Sequence, residues 1–257
     1  MKKYLAFAKV VLKEQMAKLL DEFGTIFSFC VHIVIFSFLW DFVLQGKTLA
    51  GYTKPELIWY VIMAEAIMYS FHNYYKKIAY KVEMGDFAYD MTKPFNFLLR
   101  AIVEGLADLP TTFMLLVAGS ILGIIFAGTL PLTFLQVVIS LVIMLASTAL
   151  LLILNIAAGL LAIWLGRDVS SVWLLINKAM LIFAFTPVEL FPTKVQTFLR
   201  ILPTTNVIYT PASLFVHFSA AKLVSSVILL TASFVVLAFL LWVIYKKGVK
   251  KQNVNGI

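Results

Sequence analysis

Long apolar runs separated by short polar breaks dominate the chain, and their lengths are those of membrane crossings. A crossing needs about 20 apolar residues at about 1.5 Å of rise each. Nearly uninterrupted runs of that size cover residues 23–44, 56–75, 101–127 and 223–245, and a shorter one covers 171–186. The run from Leu132 to Leu165 exceeds one straight crossing, so it is expected to tilt, to kink near Asn155 to Gly159, or to project beyond the bilayer. The breaks carry turn chemistry: Gln45-Gly46-Lys47-Thr48 through Thr53-Lys54-Pro55, Gly128-Thr129-Leu130-Pro131, and Gly166-Arg167-Asp168-Val169-Ser170.

Two segments depart from this rhythm. Near the start, Leu5, Ala8, Leu12, Met16, Leu19 and Phe23 recur at spacings of three and four, with Lys3, Glu14, Lys18 and Asp21 opposite. Such a stripe predicts an amphipathic helix over residues 1–22 lying in the membrane interface, with a short cytosolic helix packed on a partner as the alternative. Lys9, Lys13 and Glu14 interrupt the apolar run before signal-peptide length, so no cleaved signal is expected. Near the other end, four of the eight prolines fall in Phe185-Thr186-Pro187-Val188-Glu189-Leu190-Phe191-Pro192, Leu202-Pro203 and Thr210-Pro211. That stretch is too broken to span and too apolar for an ordinary loop. It predicts a re-entrant hairpin over 185–222, which can stay bent only if neighbouring spans satisfy the carbonyls its prolines free. The expected fold is therefore all-α and integral to the membrane: six transmembrane helices in a single domain over 1–257, an N-terminal interfacial helix, and an external hairpin between spans five and six.

Composition agrees, with 62% apolar and 13% charged residues against about 45–50% and about 25% in soluble domains. No length remains for a sizeable soluble domain, so any nucleotide-fuelled step must come from a partner. With both termini inside, Lys76, Lys77, Lys81, Lys93, Arg100, Arg167, the lysines of 246–251 and those of the first 18 residues collect on the cytoplasmic side. The outside receives Lys47, Lys54, Lys194, Arg200 and Lys222. This bias places both termini in the cytoplasm and the proline hairpin outside. Anionic lipid at the inner leaflet accounts for the net charge of +8, and no nucleic-acid partner is implied. Trp40, Trp59, Trp164, Trp173 and Trp242 all fall near predicted span ends.

Enzyme chemistry is not visible. The chain lacks a His-Glu-x-x-His pair, a Gly-x-Ser-x-Gly elbow, a phosphate-binding loop and paired intramembrane aspartates. Its three histidines, His32, His72 and His217, lie on different segments, and Cys30 is the single cysteine, so no metal site or intrachain disulfide is expected. Glu65 and Lys178 do fall inside predicted spans, where each costs about 2.5–3.5 kcal/mol on an isolated helix. They are expected to pair with each other, to line an aqueous path, or to snorkel to an interface. The segment from Tyr80 to Pro94 mixes charges of both signs with aromatic side chains, a composition suited to docking on a folded protein. Arg100, Glu104 and Asp108 are spaced by four and are expected to form a neutralising ladder on one helix face.

The order of parts resembles that of type 2 ABC exporter permeases in their six-span bacterial and archaeal form. The likeness covers nearly the whole chain. It is carried by the amphipathic N-terminal helix, Gly85-Asp86 leading to Lys93-Pro94, Gly159-Leu160-Leu161-Ala162-Ile163-Trp164 to Asp168, and most specifically Pro187-Val188-Glu189-Leu190-Phe191-Pro192. Ala184-Phe185-Thr186 departs from the pattern, standing where many relatives have a glycine. The resemblance implies two permease subunits, identical or related, seated on two ABC ATPase subunits that hold ATP and Mg; this chain itself would hold no cofactor. It implies a cytoplasmic coupling segment within 76–100, carried by Tyr80, Lys81, Glu83, Met84, Gly85, Asp86 and Phe87. Phe185, Pro187, Glu189, Leu190, Phe191 and Pro192 would form the external gate, and spans one, two and five, with Glu65 and Lys178, the outward route. Few polar residues at depth suit an amphipathic or apolar cargo. The alternatives are an ion- or proton-coupled transporter or channel using Glu65, Lys178, Glu104 and Asp108, and a structural scaffold that would need neither hairpin nor coupling segment.

Overall fold

The computed structural model describes residues 2–17, 22–71, 73–93, 96–165 and 169–254. Among the sequence-predicted features, His72, Pro94 and Gly166-Arg167-Asp168 lie outside the described residues, as do Lys18, Leu19 and Asp21 of the N-terminal stripe and the side chains of Lys3, Leu5 and Met16. The described chain is helical throughout: α1 (Lys2–Ala17), α2 (Phe23–Leu44), α3 (Lys54–Tyr69), α4 (Tyr74–Glu83), α5 (Asp86–Thr92), α6 (Phe97–Leu106), α7 (Leu109–Ala127), α8 (Phe134–Leu160), α9 (Ala162–Leu165), α10 (Ser170–Phe185), α11 (Thr193–Ile201), α12 (Pro203–Val216) and α13 (Ala220–Val254). Among the described residues, four helical stretches are long and apolar enough to cross a membrane: Phe23–Leu44, Phe97–Ala127, Phe134–Leu165 and Ala220–Lys251. α3 and α10, each of 16 residues, are shorter.

The core is built around α3, in which every residue from Leu57 to Ile67 is buried. A helix apolar on all sides must be enclosed on all sides, and α2, α7, α8, α10 and α12 surround it. Pro55 sits in its first turn, and Glu56 reaches back to accept the Thr53 N–H at 2.7 Å. The run expected to continue to residue 75 stops at Tyr69. Phe71 and Asn73 take left-handed conformations, with φ of 58° and 62°, and α4 leaves in a new direction. Side chains meet the polar groups exposed by this break: Ser70 Oγ donates to the Ala66 carbonyl at 2.7 Å and shares a hydrogen bond with Thr112 of α7 at 2.7 Å. Asn155 of α8 accepts the Tyr75 N–H at 3.2 Å and donates to Leu151 O at 3.0 Å.

The same logic holds at the prolines. Pro187 offers no N–H to the Phe183 carbonyl one turn earlier, and Tyr60 Oη of α3 donates to that carbonyl at 2.6 Å. Pro211, inside α12, likewise frees Val207 O, which accepts from Ser147 Oγ of α8 at 2.5 Å. α12 is buried from Thr205 to Val216 against α3, α8, α10 and α13, whereas α11 has no buried residue.

Three expectations are made more specific. α8 runs as one helix to Leu160, with Gly159 at a close contact: a Cβ there would meet Tyr75 O and Ile78 Cβ, each at 2.6 Å. The span expected over 101–127 lies within the apolar stretch Phe97–Ala127, which is made of two helices meeting at Ala107 and Asp108, just before Pro110. In α1, Phe7, Ala8 and Val11 turn inward while Leu12 of the predicted stripe is exposed, because α1 packs on α6, where Arg100 lies 5.4 Å from the Phe7 ring centroid.

Gly159→Ala should therefore force α4 away from α8, at a cost of about 1–3 kcal/mol, and lower the Tm of the purified protein. Gly24→Ala, on a helix position with nothing within 4 Å, should leave it unchanged. Equal melting of both variants would contradict the α4–α8 contact.

Candidate functional site

Polar side chains gather at three levels of this apolar bundle. The first is the lysine-rich end. Gly85, with φ of 78°, turns the chain from α4 into α5. Tyr80 to Phe87, the residues that the resemblance marks for coupling, span the end of α4, the turn and the start of α5. Phe87 does not face outward: it is 1% exposed and packs edge-on against Phe97 at 4.8 Å, with Tyr245 of α13 beyond. Asp90 is buried beside it and receives Lys93 Nζ at 2.7 Å and Arg100 at 2.8 Å. Burial alone would raise the Asp90 carboxyl, but these two cations more than offset it and hold the group below the usual carboxylate range. The opposite face is open, with Tyr80, Met84 and Tyr89 exposed at 56%, 59% and 64%, beside exposed Glu83, Gly85 and Asp86.

Lys81 turns away from that open face. With Lys77, it grips Glu104 of α6 at 2.9 and 2.7 Å. The ladder expected along α6 is thus replaced by cross-helix pairs: Arg100 goes to Asp90 and Glu104 to α4. Lys251 Nζ ties the long α13 to the Ile163 carbonyl of α9 at 2.9 Å.

The second level is mid-bundle. Glu65, fully buried, does not pair with Lys178; its Oε1 lies 2.9 Å from Nδ1 of His32 on α2. Tyr69 Oη stands 3.3 Å from the same nitrogen and 3.1 Å from Ser28 Oγ. Lys178 is exposed on α10, with no ion pair among the described residues. Sequence reasoning missed His32 because its partner is 33 residues away; the available signal was a second ionisable group at matching depth in the preceding apolar run.

The third level is the proline-rich end, around Pro187 and Pro192. Glu189, in the short 3-10 turn Val188–Leu190, accepts from Tyr52 Oη at 3.0 Å and from Tyr209 Oη, with Arg200 at 3.4 Å. Burial and the Glu189 charge push the Tyr52 hydroxyl far above its ordinary range, so it stays a donor. Gln196 Nε2 donates to Phe191 O at 2.8 Å and Glu189 O at 3.3 Å. Pro187 is buried, Leu190 half-buried and Pro192 exposed. Phe185 stacks on Phe36 with centroids 4.0 Å apart, and Phe191 lies 6.2 Å from Phe183.

A family model described as "ABC-2 family transporter protein" matches residues 29–256, taking in most of α2 and everything after it. A comparison with curated proteins found no match.

The Asp90 pairs should hold α5 in place. Asp90→Asn should speed amide exchange across 86–92 by roughly tenfold, since a hydrogen bond to a charged group is worth about 1.5–3 kcal/mol. Glu83→Gln, on the exposed face, should not change it. Because the Asp90 carboxyl is depressed in the folded chain, its contribution is present above the unfolded carboxylate pKa and is lost as pH falls through the folded value. Unaltered exchange in Asp90→Asn would remove the pairs from the account.

Proposed function

The chain belongs to the ABC-2 family of transporter proteins, and from that premise we propose that it is the permease subunit of an ATP-driven exporter. It moves an amphipathic or apolar cargo outward, with hydrolysis on a separate ABC ATPase. The observation that carries this reading is the two-faced α4–α5 element. Its inner face is fixed by Phe87, Asp90 and the Glu104 pairs, while its outer face exposes Tyr80, Glu83, Met84, Asp86 and Tyr89, the last with Lys93 Nζ 4.4 Å from its ring centroid. A rigidly held element with exposed aromatic and acidic side chains suits transmission of a partner's movement.

In this reading the lysine-rich end is cytoplasmic by the positive-inside rule. Six crossings follow: α2, α3 with α4, α6 with α7, α8, α10 and α13. α11 and α12 form the re-entrant hairpin, and Glu189 with Tyr52, Tyr209 and Arg200 latches the external gate. Two permease subunits, identical or related, sit on two ATPase copies that bind ATP and Mg. Nucleotide-driven movement enters at α5 and passes through α4 and the Ser70–Asn73 break into the central helix α3.

Replacing Glu83 and Asp86 together with lysine should abolish or uncouple ATP-driven transport, with assembly on the ATPase weakened at least tenfold, while membrane insertion and Tm stay unchanged. The measurement is co-purification of the ATPase together with nucleotide-dependent efflux from vesicles. Normal assembly and normal coupled efflux would overturn the assignment, as would ATP turnover by the purified chain alone.

A further inference from the structure

His32 and Glu65 sit at depth, about 14 Å from the start of α2 and about 16 Å from the start of α3 by helix rise. Their exposure differs sharply: the Glu65 side chain is 0% exposed and that of His32 35%. The carboxylate therefore stands behind the imidazole, and only the imidazole is open to a visitor. Glu65 Oε2 has no hydrogen-bond partner, so a net negative charge on the pair would be poorly compensated in a low-dielectric interior. Two arrangements keep the pair neutral: an imidazolium beside a carboxylate, or a carboxylic acid donating to Nδ1 of a neutral ring. In both, the second ring nitrogen, Nε2, carries a hydrogen. The ring nitrogen that Glu65 does not engage is thus a donor, on the partly exposed member of the pair.

A second observation gives the same sign. Lys178 lies about 12 Å along α10 by helix rise, exposed and without an ion pair among the described residues. A lysine at that depth facing lipid is costly, so its face suits an aqueous path. Lys178, Ile182 and Phe185 share one side of α10 by their spacing, and Phe185 touches both His32, at 6.0 Å, and Phe36, at 4.0 Å. One turn of α10 away, a pocket of about 300 Å³ is lined by Ser70, Asn73, Lys76, Ser171 and Asn177 among others. From the lysine-rich end to mid-bundle, this side offers Lys76, Lys178 and His32 in succession, with the Glu65 carboxylate hidden behind the ring.

We propose that Lys178 and the exposed edge of His32 form a cargo-binding stripe for an anionic oxygen headgroup, carboxylate or phosphate, carried on an apolar body. The proposal rests on the permease reading and adds the charge class of the cargo. Lys178 meets the headgroup first, and His32 receives it at mid-depth. Glu65 acts as a positioning residue, fixing the ring through Nδ1 and keeping a hydrogen on Nε2. The stacked Phe36 and Phe185 rings provide the apolar wall for the cargo's body.

Binding to the purified full chain tests this without nucleotide or ATPase, so its failure is distinct from failure of the coupling assignment. In a neutral detergent, dodecyl phosphate and dodecanoate are titrated separately, with dodecyltrimethylammonium as the cationic counterpart, and the shift in Tm gives the half-saturating concentration. Both anionic probes should bind, and a preference between them identifies the headgroup. Lys178→Leu and His32→Phe should each weaken anionic binding by about tenfold or more, while Lys178→Arg retains it. Both positions are at least partly exposed, and Tm without probe checks that each variant is folded. Unchanged anionic binding in Lys178→Leu and His32→Phe would overturn the proposal. So would tighter binding of the cationic probe that depends on His32 or Glu65.

Discussion

Inside a hydrocarbon layer a backbone carbonyl or amide without a partner costs several kcal/mol, because no water can replace the lost bond. This constraint organises the structure. The chain breaks its helices repeatedly within an apolar bundle, and at the central breaks a named side chain from a neighbouring helix takes over the freed group. Tyr60 serves the carbonyl released by Pro187, Ser147 the one released by Pro211, and Asn155 an unpaired amide at the start of α4. Tyr60, Ser147 and Asn155 are thus placed where the backbone needs them.

The consequence is a bundle that is irregular without being loose. α3 is enclosed by five helices, and it donates Tyr60 to the proline-rich end while its own lower break is braced by Thr112 and α4 is capped by Asn155. In the proposed permease, movement entering at α5 would reach the centre through few intermediaries: α4, the left-handed residues Phe71 and Asn73, then α3. Phe71 and Asn73, both left-handed, sit at that junction, and in the proposed permease they are where the angle between α3 and α4 would change. At the far end, Glu189 gathers Tyr52, Tyr209 and Arg200, linking the start of α3 to both helices of the proline-rich segment. The proposed driver and the proposed gate thus share one helix.

The long apolar helices were legible from hydropathy alone, since length against bilayer thickness admits few alternatives. The requirement that prolines find surrogate donors was legible too, and it is met at Val207 and Phe183. The end of α3 was not legible: the helix stops without glycine or proline, through left-handed Phe71 and Asn73, which tertiary packing imposes and local propensity does not announce. Glu65 was visible as an unusual residue, but its pairing with His32 depends on how two helices rotate against each other. Charge spacing along α6 suggested a local ladder, whereas α4 offered Lys77 and Lys81 at closer range. Gly159 stood out only as a place where the long run could bend, and its close contact with Tyr75 and Ile78 depends on tertiary packing. Phe87 was read as a docking aromatic because sequence shows polarity of a segment and not which side of a short helix faces the bundle.

The central claim, that neighbouring side chains stand in for hydrogen bonds removed by proline, is tested most directly by a double-mutant cycle on Ser147 and Pro211 in lipid nanodiscs. Ser147→Ala in the native background should cost about 1–3 kcal/mol of stability, because Val207 O is left without a partner. In a Pro211→Ala background the restored N–H serves that carbonyl, and Ser147→Ala should cost much less. An identical cost in both backgrounds would show that Ser147 contributes only packing and would contradict the account.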